Sequence, residues 1–83
     1  MQVTVKYRAH LAALTKITTE QIEAVAVKDV LRHIKTSFGA EAGKLAKTMI
    51  IAVNGESILH LAHFKTALHD GDEVSFLPIC GGG

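Results

Sequence analysis

The 83-residue chain has one cysteine, one proline and no tryptophan. Cys80 alone cannot form an intramolecular disulfide, so the fold must be held by non-covalent packing, and a reducing, cytoplasmic setting is expected. Aromatic residues are also scarce, with three Phe and one Tyr, and aliphatic side chains must therefore fill the core. The hydrophobic content of 48% suffices for a single core, and the chain is too short for two.

The chain also lacks a charge bias and a long apolar run. Nine Lys and Arg residues stand against eight Asp and Glu residues, and the basic residues are scattered along the sequence. This balance argues against nucleic acid as a partner. No apolar run approaches the roughly 18 residues of a membrane span, and the first 15 residues do not read as a signal peptide. We expect neither export nor membrane insertion.

The first third of the chain predicts a hairpin. Val3, Val5 and Tyr7 alternate with polar residues, which is the period-2 pattern of a strand with one buried face. The apolar residues within 9–14 are spaced as in a short helix. A second strand is predicted at about residues 20–25. Because the link is so short, the two strands should pair antiparallel at the edge of a sheet.

From residue 27 the apolar spacing becomes helical and predicts one amphipathic helix. Its buried stripe is predicted to be Val27, Val30, Leu31, Ile34 and Phe38. Its polar face is predicted to be Lys28, Asp29, Arg32, His33 and Lys35. Gly39 is the predicted stop. Residues 40–47, which are rich in Ala, are interpreted as a weak helix or a loop.

Three further strands are predicted at residues 48–53, 57–61 and 73–78. The first should be buried on both faces because it is an almost continuous apolar run. A helical turn is predicted at residues 62–68, and Asp-Gly-Asp at 70–72 predicts a tight turn rather than an acid/base site. This order fits an α+β architecture with a mixed sheet packed on one main helix. A ferredoxin-like fold would need a second full helix, for which residues 62–68 are too few.

The chain ends in three glycines, Gly81 to Gly83. Glycine accepts almost any backbone conformation and can enter a channel that is too narrow for other residues. The terminal carboxylate has an ordinary pKa of about 3.3–3.7, so at neutral pH it is ionised and must be activated before acyl chemistry. Taken alone, the glycines are equally compatible with a frayed terminus.

The segment from Leu68 to Pro78, followed by Gly82-Gly83, resembles the C-terminus of the MoaD branch of the MoaD/ThiS sulfur carriers. The likeness extends over essentially the whole chain. It includes Val5-Lys6-Tyr7-Arg8-Ala9, Lys28-Asp29-Val30-Leu31-Arg32-His33-Ile34 and Ile51-Ala52-Val53-Asn54-Gly55. The family usually ends Phe-x-Pro-Pro-Val-x-Gly-Gly, whereas this chain has Ile79, Cys80 and Gly81 before the diglycine. No gap is needed, so Gly82-Gly83 occupies the diglycine position.

The resemblance implies a ubiquitin-like β-grasp domain at residues 1–78 and a flexible tail at residues 79–83, with no catalytic site and no bound cofactor of its own. It implies that an E1-like, MoeB-like enzyme uses ATP to adenylate Gly83. A sulfur donor system would then form a thiocarboxylate. A MoaE-like large subunit of molybdopterin synthase would supply the pocket in which sulfur passes to precursor Z.

An apolar surface beside the tail is the predicted docking site for these partners. The predicted partner-binding residues are Phe76, Leu77, Pro78, Ile79, Ile58 and Leu59. Cys80 is interpreted as a small apolar residue, since no adjacent cation would lower its pKa. His60, His63 and His69 lack the partners of a zinc site and are interpreted as surface residues.

The sequence leaves three other functions open. A ubiquitin-like modifier would use the same activation of Gly83, with a lysine amine as the attacking group. A thiamin-type sulfur carrier is disfavoured because members of that branch are typically shorter. A purely structural adaptor would leave the glycine end without a role.

Overall fold

The computed structural model describes residues 1–79. Within this range the chain forms five β-strands, three α-helices and two short 3₁₀ helices. The strands are β1 (Gln2–Lys6), β2 (Thr19–Glu23), β3 (Ile50–Val53), β4 (Glu56–Ser57) and β5 (Glu73–Leu77). The helices are α1 (Ala9–Thr15), α2 (Val27–Phe38) and α3 (Ala40–Thr48), and the 3₁₀ helices are Ile58–His60 and His63–Lys65. None of the helices in residues 1–79 is long and apolar enough to cross a membrane.

The strands form one mixed sheet in the order β2-β1-β5-β3-β4. β1 pairs antiparallel with β2 at the edge, which confirms the predicted hairpin. β5 pairs parallel with β1 and antiparallel with β3. The last strand of the chain therefore lies in the middle of the sheet, and both of its neighbours hold it in place.

The core lies between the sheet and α2, as the helical stripe predicts. Val27, Val30 and Ile34 have no exposed surface, and Leu31 is 6% exposed. Burying a side chain of this size contributes about 1.5–3 kcal/mol. Phe38 is only partly buried, because it lies on the last turn of α2. Its ring packs edge-on against Tyr7, with ring centroids 5.8 Å apart.

Both ends of α2 have local causes in the sequence. At its start the Asp29 carboxylate accepts hydrogen bonds from the backbone N–H groups of Val25 (3.1 Å) and Ala26 (3.2 Å). These bonds satisfy donors near the helix N-terminus, where a negative charge is also favourable. At its end Gly39 has φ +102°, which residues with a Cβ adopt rarely, so the predicted stop is correct.

Residues 40–48 form a full helix rather than a loop, because most of them are strong helix formers and one face of the helix is buried. Ala42, Gly43 and Ala46 are buried. A Cβ at Gly43 would lie 3.1 Å from the Lys35 Cβ, so the glycine lets α3 approach α2 closely.

Two strand predictions are wrong in detail. Residues 57–61 were expected to form a strand, but β4 stops at Ser57, whose hydroxyl accepts a hydrogen bond from the Leu59 N–H (3.2 Å) and caps a 3₁₀ helix. Residues 48–53 were expected to be buried on both faces. Thr48 instead ends α3, and Ile50 is 41% exposed because β4 pairs only with Ala52 and Val53 and does not reach it.

Candidate functional site

The strand that leads to the C-terminus is the structural centre of the site. Val74 and Phe76 point into the core, and Leu77 is paired with Ile50 at the end of the β3–β5 ladder. Beyond Leu77 the chain leaves the sheet, and Ile79 is 63% exposed. The tail therefore starts from the central strand of the sheet, which is paired on both sides. The predicted site residues Gly81, Gly82 and Gly83, and Cys80 before them, lie outside the described residues.

The start of β5 is held by the side chain of Asn54. Its Nδ2 donates to the Asp72 carboxylate (2.9 Å), and its Oδ1 accepts from the Glu73 N–H (3.0 Å). The Asp72 carboxylate also accepts from the His69 N–H (2.8 Å). The hydrogen bond from Asn54, and then that from His69, lower the pKa of Asp72 below its ordinary range. These contacts set the register in which β5 delivers the tail.

A groove of about 440 Å³ lies beside the exit of the tail, and we call it the tail groove. The tail groove is lined by Lys47, Thr48, Met49, Ile50, Ile51, Ser57, Ile58, Leu59, His63, Phe64 and Ile79. Four of these are large apolar side chains with unusually high exposure: Ile50, Leu59, Phe64 and Ile79. Exposed apolar side chains gathered in one concave surface are typical of protein-binding sites.

A second, smaller cleft of about 150 Å³ lies on another side of Ile79. It is lined by Ala9, His10, Leu45, Thr48, Met49, Pro78 and Ile79. Ala9 has φ +54°, a conformation that is uncommon for a residue with a Cβ. Because Ile79 lines both depressions, this residue lies at the junction of the surfaces around the tail.

Two of the predicted partner-binding residues are core residues: Phe76 is wrongly assigned to a docking surface, and Ile58 offers only a small exposed area at the lining of the tail groove. Phe76 has no exposed surface and stacks on Tyr7 with ring centroids 6.3 Å apart, because it is on the core face of the central strand. Ile58 is 5% exposed because the 3₁₀ helix turns it inward.

The other predicted positions lie on the surface, and their role in binding remains a prediction. Leu77 is half-buried, whereas Pro78, Leu59 and Ile79 are exposed. The sequence reasoning missed Ile50 and Phe64. Ile50 was hidden in an apolar run that looks fully buried, and only the shortness of β4 exposes it. Phe64 was hidden in a segment interpreted as a helical turn.

The polar contacts of Tyr7 lie elsewhere, between β1, β2 and α2. The Tyr7 hydroxyl donates to the Glu20 carboxylate (2.8 Å), which also contacts His33 Nε2 at 2.9 Å. Burial, together with the Glu20 carboxylate, raises the pKa of Tyr7. His33, predicted to face solvent, is therefore half-buried in a structural network. Within residues 1–79 no three His, Cys, Asp or Glu side chains are grouped so as to hold a metal ion.

The chain is similar in sequence to known proteins. A sequence profile of the ThiS family matches residues 5–83. Small archaeal modifier protein 3 of Haloferax volcanii is 36% identical in an alignment 63 residues long that covers 69% of this chain and 68% of that protein.

Two solved structures match nearly the whole fold. The solution structure of small archaeal modifier protein 1 from Methanosarcina acetivorans has a TM-score of 0.83 at 28% identity and covers 99% of this chain and 96% of its own. A chain of the complex of subunits 1 and 2 of the molybdopterin-converting factor from Helicobacter pylori has a TM-score of 0.71 at 26% identity, with 100% of both chains covered. The five-stranded mixed sheet is thus a ubiquitin-like β-grasp fold, and the chain belongs to the ThiS/MoaD family of ubiquitin-like sulfur carriers.

Proposed function

We propose that this protein carries sulfur as a thiocarboxylate on Gly83 and donates it to precursor Z as the small subunit of molybdopterin synthase. One observation carries the proposal. The central strand β5 ends at Leu77, and the chain emerges at the exposed Ile79, four residues before Gly83. A tail that starts from a rigid strand can be inserted into a partner while the domain stays folded.

The chemistry requires two steps at the Gly83 carboxylate. An oxygen of the Gly83 carboxylate attacks the α-phosphorus of ATP, and pyrophosphate leaves. Hydrosulfide supplied by the donor system then attacks the carbonyl carbon of the adenylate and displaces AMP, which leaves the thiocarboxylate and releases one proton. ATP is bound by the activating enzyme, and this chain binds no cofactor itself. The reducing conditions of the cytoplasm would preserve the thiocarboxylate and the Cys80 thiol.

The tail groove is the proposed docking surface for both partners, the MoeB-like activating enzyme and the MoaE-like large subunit. Exposed Ile50, Leu59, Phe64 and Ile79 supply apolar area next to the tail. Covering this area would stabilise a complex by about 25 cal/mol for each Å² of apolar surface removed from water. The Helicobacter pylori relative, whose structure contains subunits 1 and 2 together, supports this kind of partner.

A second candidate is a protein modifier, which the similarity to two small archaeal modifier proteins favours. It uses the same adenylate at Gly83. A lysine amine, rather than a sulfur donor, then attacks the carbonyl carbon, and an isopeptide bond forms as AMP leaves. The two functions differ only in the nucleophile that the partner presents.

Intact-mass measurement of the protein isolated from its own cells tests the proposal. A sulfur carrier should show a mass gain that corresponds to one oxygen replaced by one sulfur, and the gain should disappear in cells that lack the activating enzyme. Lysine residues elsewhere that carry the C-terminal glycines after proteolysis would indicate the modifier. A chain that is never altered at Gly83, in any growth condition, would contradict both functions.

A further inference from the structure

A second groove, of about 420 Å³, lies between α2 and α3, and we call it the basic groove. The residues that line it are Lys28, Leu31, Arg32, Lys35, Ala40, Gly43, Lys44, Lys47 and Phe64. The lining residues of α2 are spaced i, i+3, i+4, i+7, and those of α3 repeat the same spacing. Each helix therefore contributes one continuous stripe to the groove.

Positive charge is concentrated around this groove in a chain whose net charge is only +1. Five of its lining residues are Lys or Arg, and none of the described lining residues is acidic. Arg32 is partly neutralised by Asp29, at 3.3 Å. The four lysines that line the groove have no carboxylate of residues 1–79 within 4.0 Å. Glu41 is the acidic residue of α3, and it is not part of the lining.

The floor of the groove is apolar. Leu31 is nearly buried, Gly43 is buried where α3 approaches α2, and Phe64 is 42% exposed. A basic rim around an apolar floor suits a peptide segment that carries acidic residues on both sides of an apolar side chain.

The basic groove is continuous with the tail groove, because Lys47 and Phe64 line both. A protein that covers the apolar surface beside Ile79 is thus positioned to reach the lysines of α2 and α3. The continuous surface extends from Ile79 to Lys28 at the start of α2.

We propose that the basic groove binds an acidic segment of the enzyme that activates Gly83. This inference rests on the proposed activation of the C-terminus, but it holds for a sulfur carrier and for a modifier alike. The acidic segment would attract the carrier and orient its body, while the tail groove positions the tail. Rim charges of this kind mainly change the rate of association and its dependence on salt.

Nucleotide binding is the alternative that the charge alone would allow. Phosphate sites are usually built from backbone N–H groups or from arginine forks. The basic groove has one arginine, already paired with Asp29, and lysines spread along two helices. This distribution fits carboxylates spaced along a peptide better than a compact phosphate group.

The test is ATP–pyrophosphate exchange by the MoeB-like enzyme of the same cell, measured against the concentration of the carrier. We compare the wild type with Lys44→Glu, with the neutral Lys44→Gln, and with Lys16→Glu. Lys16 is exposed and lies outside both grooves, so its variant controls for net charge. Thermal melts establish that each variant is folded.

We expect Lys44→Glu to raise KM by about 3- to 10-fold, with kcat changed by less than about twofold. Lys44→Gln should be intermediate, Lys16→Glu should match the wild type, and salt should raise the KM of the wild type more steeply than that of Lys44→Glu.

Equal KM values for Lys44→Glu and Lys16→Glu would overturn the inference and leave the proposed function intact. Absence of exchange with the wild-type chain would instead overturn the proposed function, and this inference with it. ATP alone is titrated into ¹⁵N-labelled protein as a further check. Saturable shifts confined to the amides of the basic groove would make it a nucleotide site and would also overturn the inference.

Discussion

Asn54 Nδ2 donates a hydrogen bond of 2.9 Å to Asp72 Oδ1, and this contact joins the turn after β3 to the turn before β5. Asn54 has φ +52°, which asparagine tolerates better than most residues. Its Oδ1 also accepts from the Glu73 N–H at 3.0 Å. The strand that carries the tail thus begins in a fixed register.

The Asp72 carboxylate should make stability depend on acid. Because its pKa is lowered in the folded protein, its contribution is complete above the ordinary carboxyl pKa and is lost as pH falls through the folded value. We expect the free energy of unfolding to fall more steeply in the wild type than in Asp72→Asn between about pH 5 and about pH 2. Denaturant melts across this range provide the measurement. Glu41→Gln controls for net charge, and parallel curves for the wild type and Asp72→Asn would contradict the prediction.

The helical stripe of α2 should dominate stability. Leu31→Ala, at a site 6% exposed, should lower the free energy of unfolding by about 2–5 kcal/mol, because it removes buried contacts and leaves a cavity. Leu59→Ala makes the same chemical change at a site 70% exposed and should cost less than about 0.5 kcal/mol. Denaturant unfolding of both variants tests the pair. Similar losses of stability in the two variants would show that Leu31 and its face of α2 are not buried in the core.

A charge in the tail groove should weaken partner binding without unfolding the domain. Ile79→Asp places a carboxylate on an apolar surface that a partner must cover, and it should weaken binding to the MoaE-like subunit by at least about tenfold. Ile17→Asp makes the same change at an exposed site outside the groove and should bind normally. Calorimetric titration measures both affinities. An unchanged affinity for Ile79→Asp would remove this residue from the interface.

Shortening the tail should affect the rate of adenylation more than it affects binding to the activating enzyme. Deletion of Gly83 leaves a glycine end but shortens the reach by up to about 3.6 Å. Since a displacement of about 1 Å can cost about 10²-fold in rate, the deletion should abolish adenylation while binding through the folded domain survives. Gly82→Val should do similar damage, because its β-branched side chain would enter a narrow channel.

Pyrophosphate exchange and calorimetry on these two tail variants separate chemistry from binding. If the chain without Gly83 were adenylated at the wild-type rate, Gly81-Gly82 would be the working diglycine, and the ungapped register from Asp72 to the C-terminus would be wrong.

Local patterns in the sequence were sufficient to predict much of this protein. The alternation at Val3, Val5 and Tyr7 and the stripe of α2 report which side chains are buried, because strands and helices have fixed periods. The turn residues around Asn54-Gly55 and Asp70-Gly71-Asp72 report where the chain reverses. From these signals the mixed sheet, the hairpin and the main helix could be predicted, and the C-terminal motif indicated the family.

Other features depend on contacts between distant segments, which no local pattern encodes. The helix at residues 40–48 lies close to α2 because Gly43 has no side chain at the contact. Ile50 is exposed because β4 is too short to cover it, and Phe76 is buried because β5 lies in the centre of the sheet. The basic groove exists only because the charged stripes of α2 and α3 lie side by side. The sequence by itself determined most of the elements and indicated the family. The tertiary structure decided which apolar and charged side chains meet at the surface, because exposure depends on what packs against each residue.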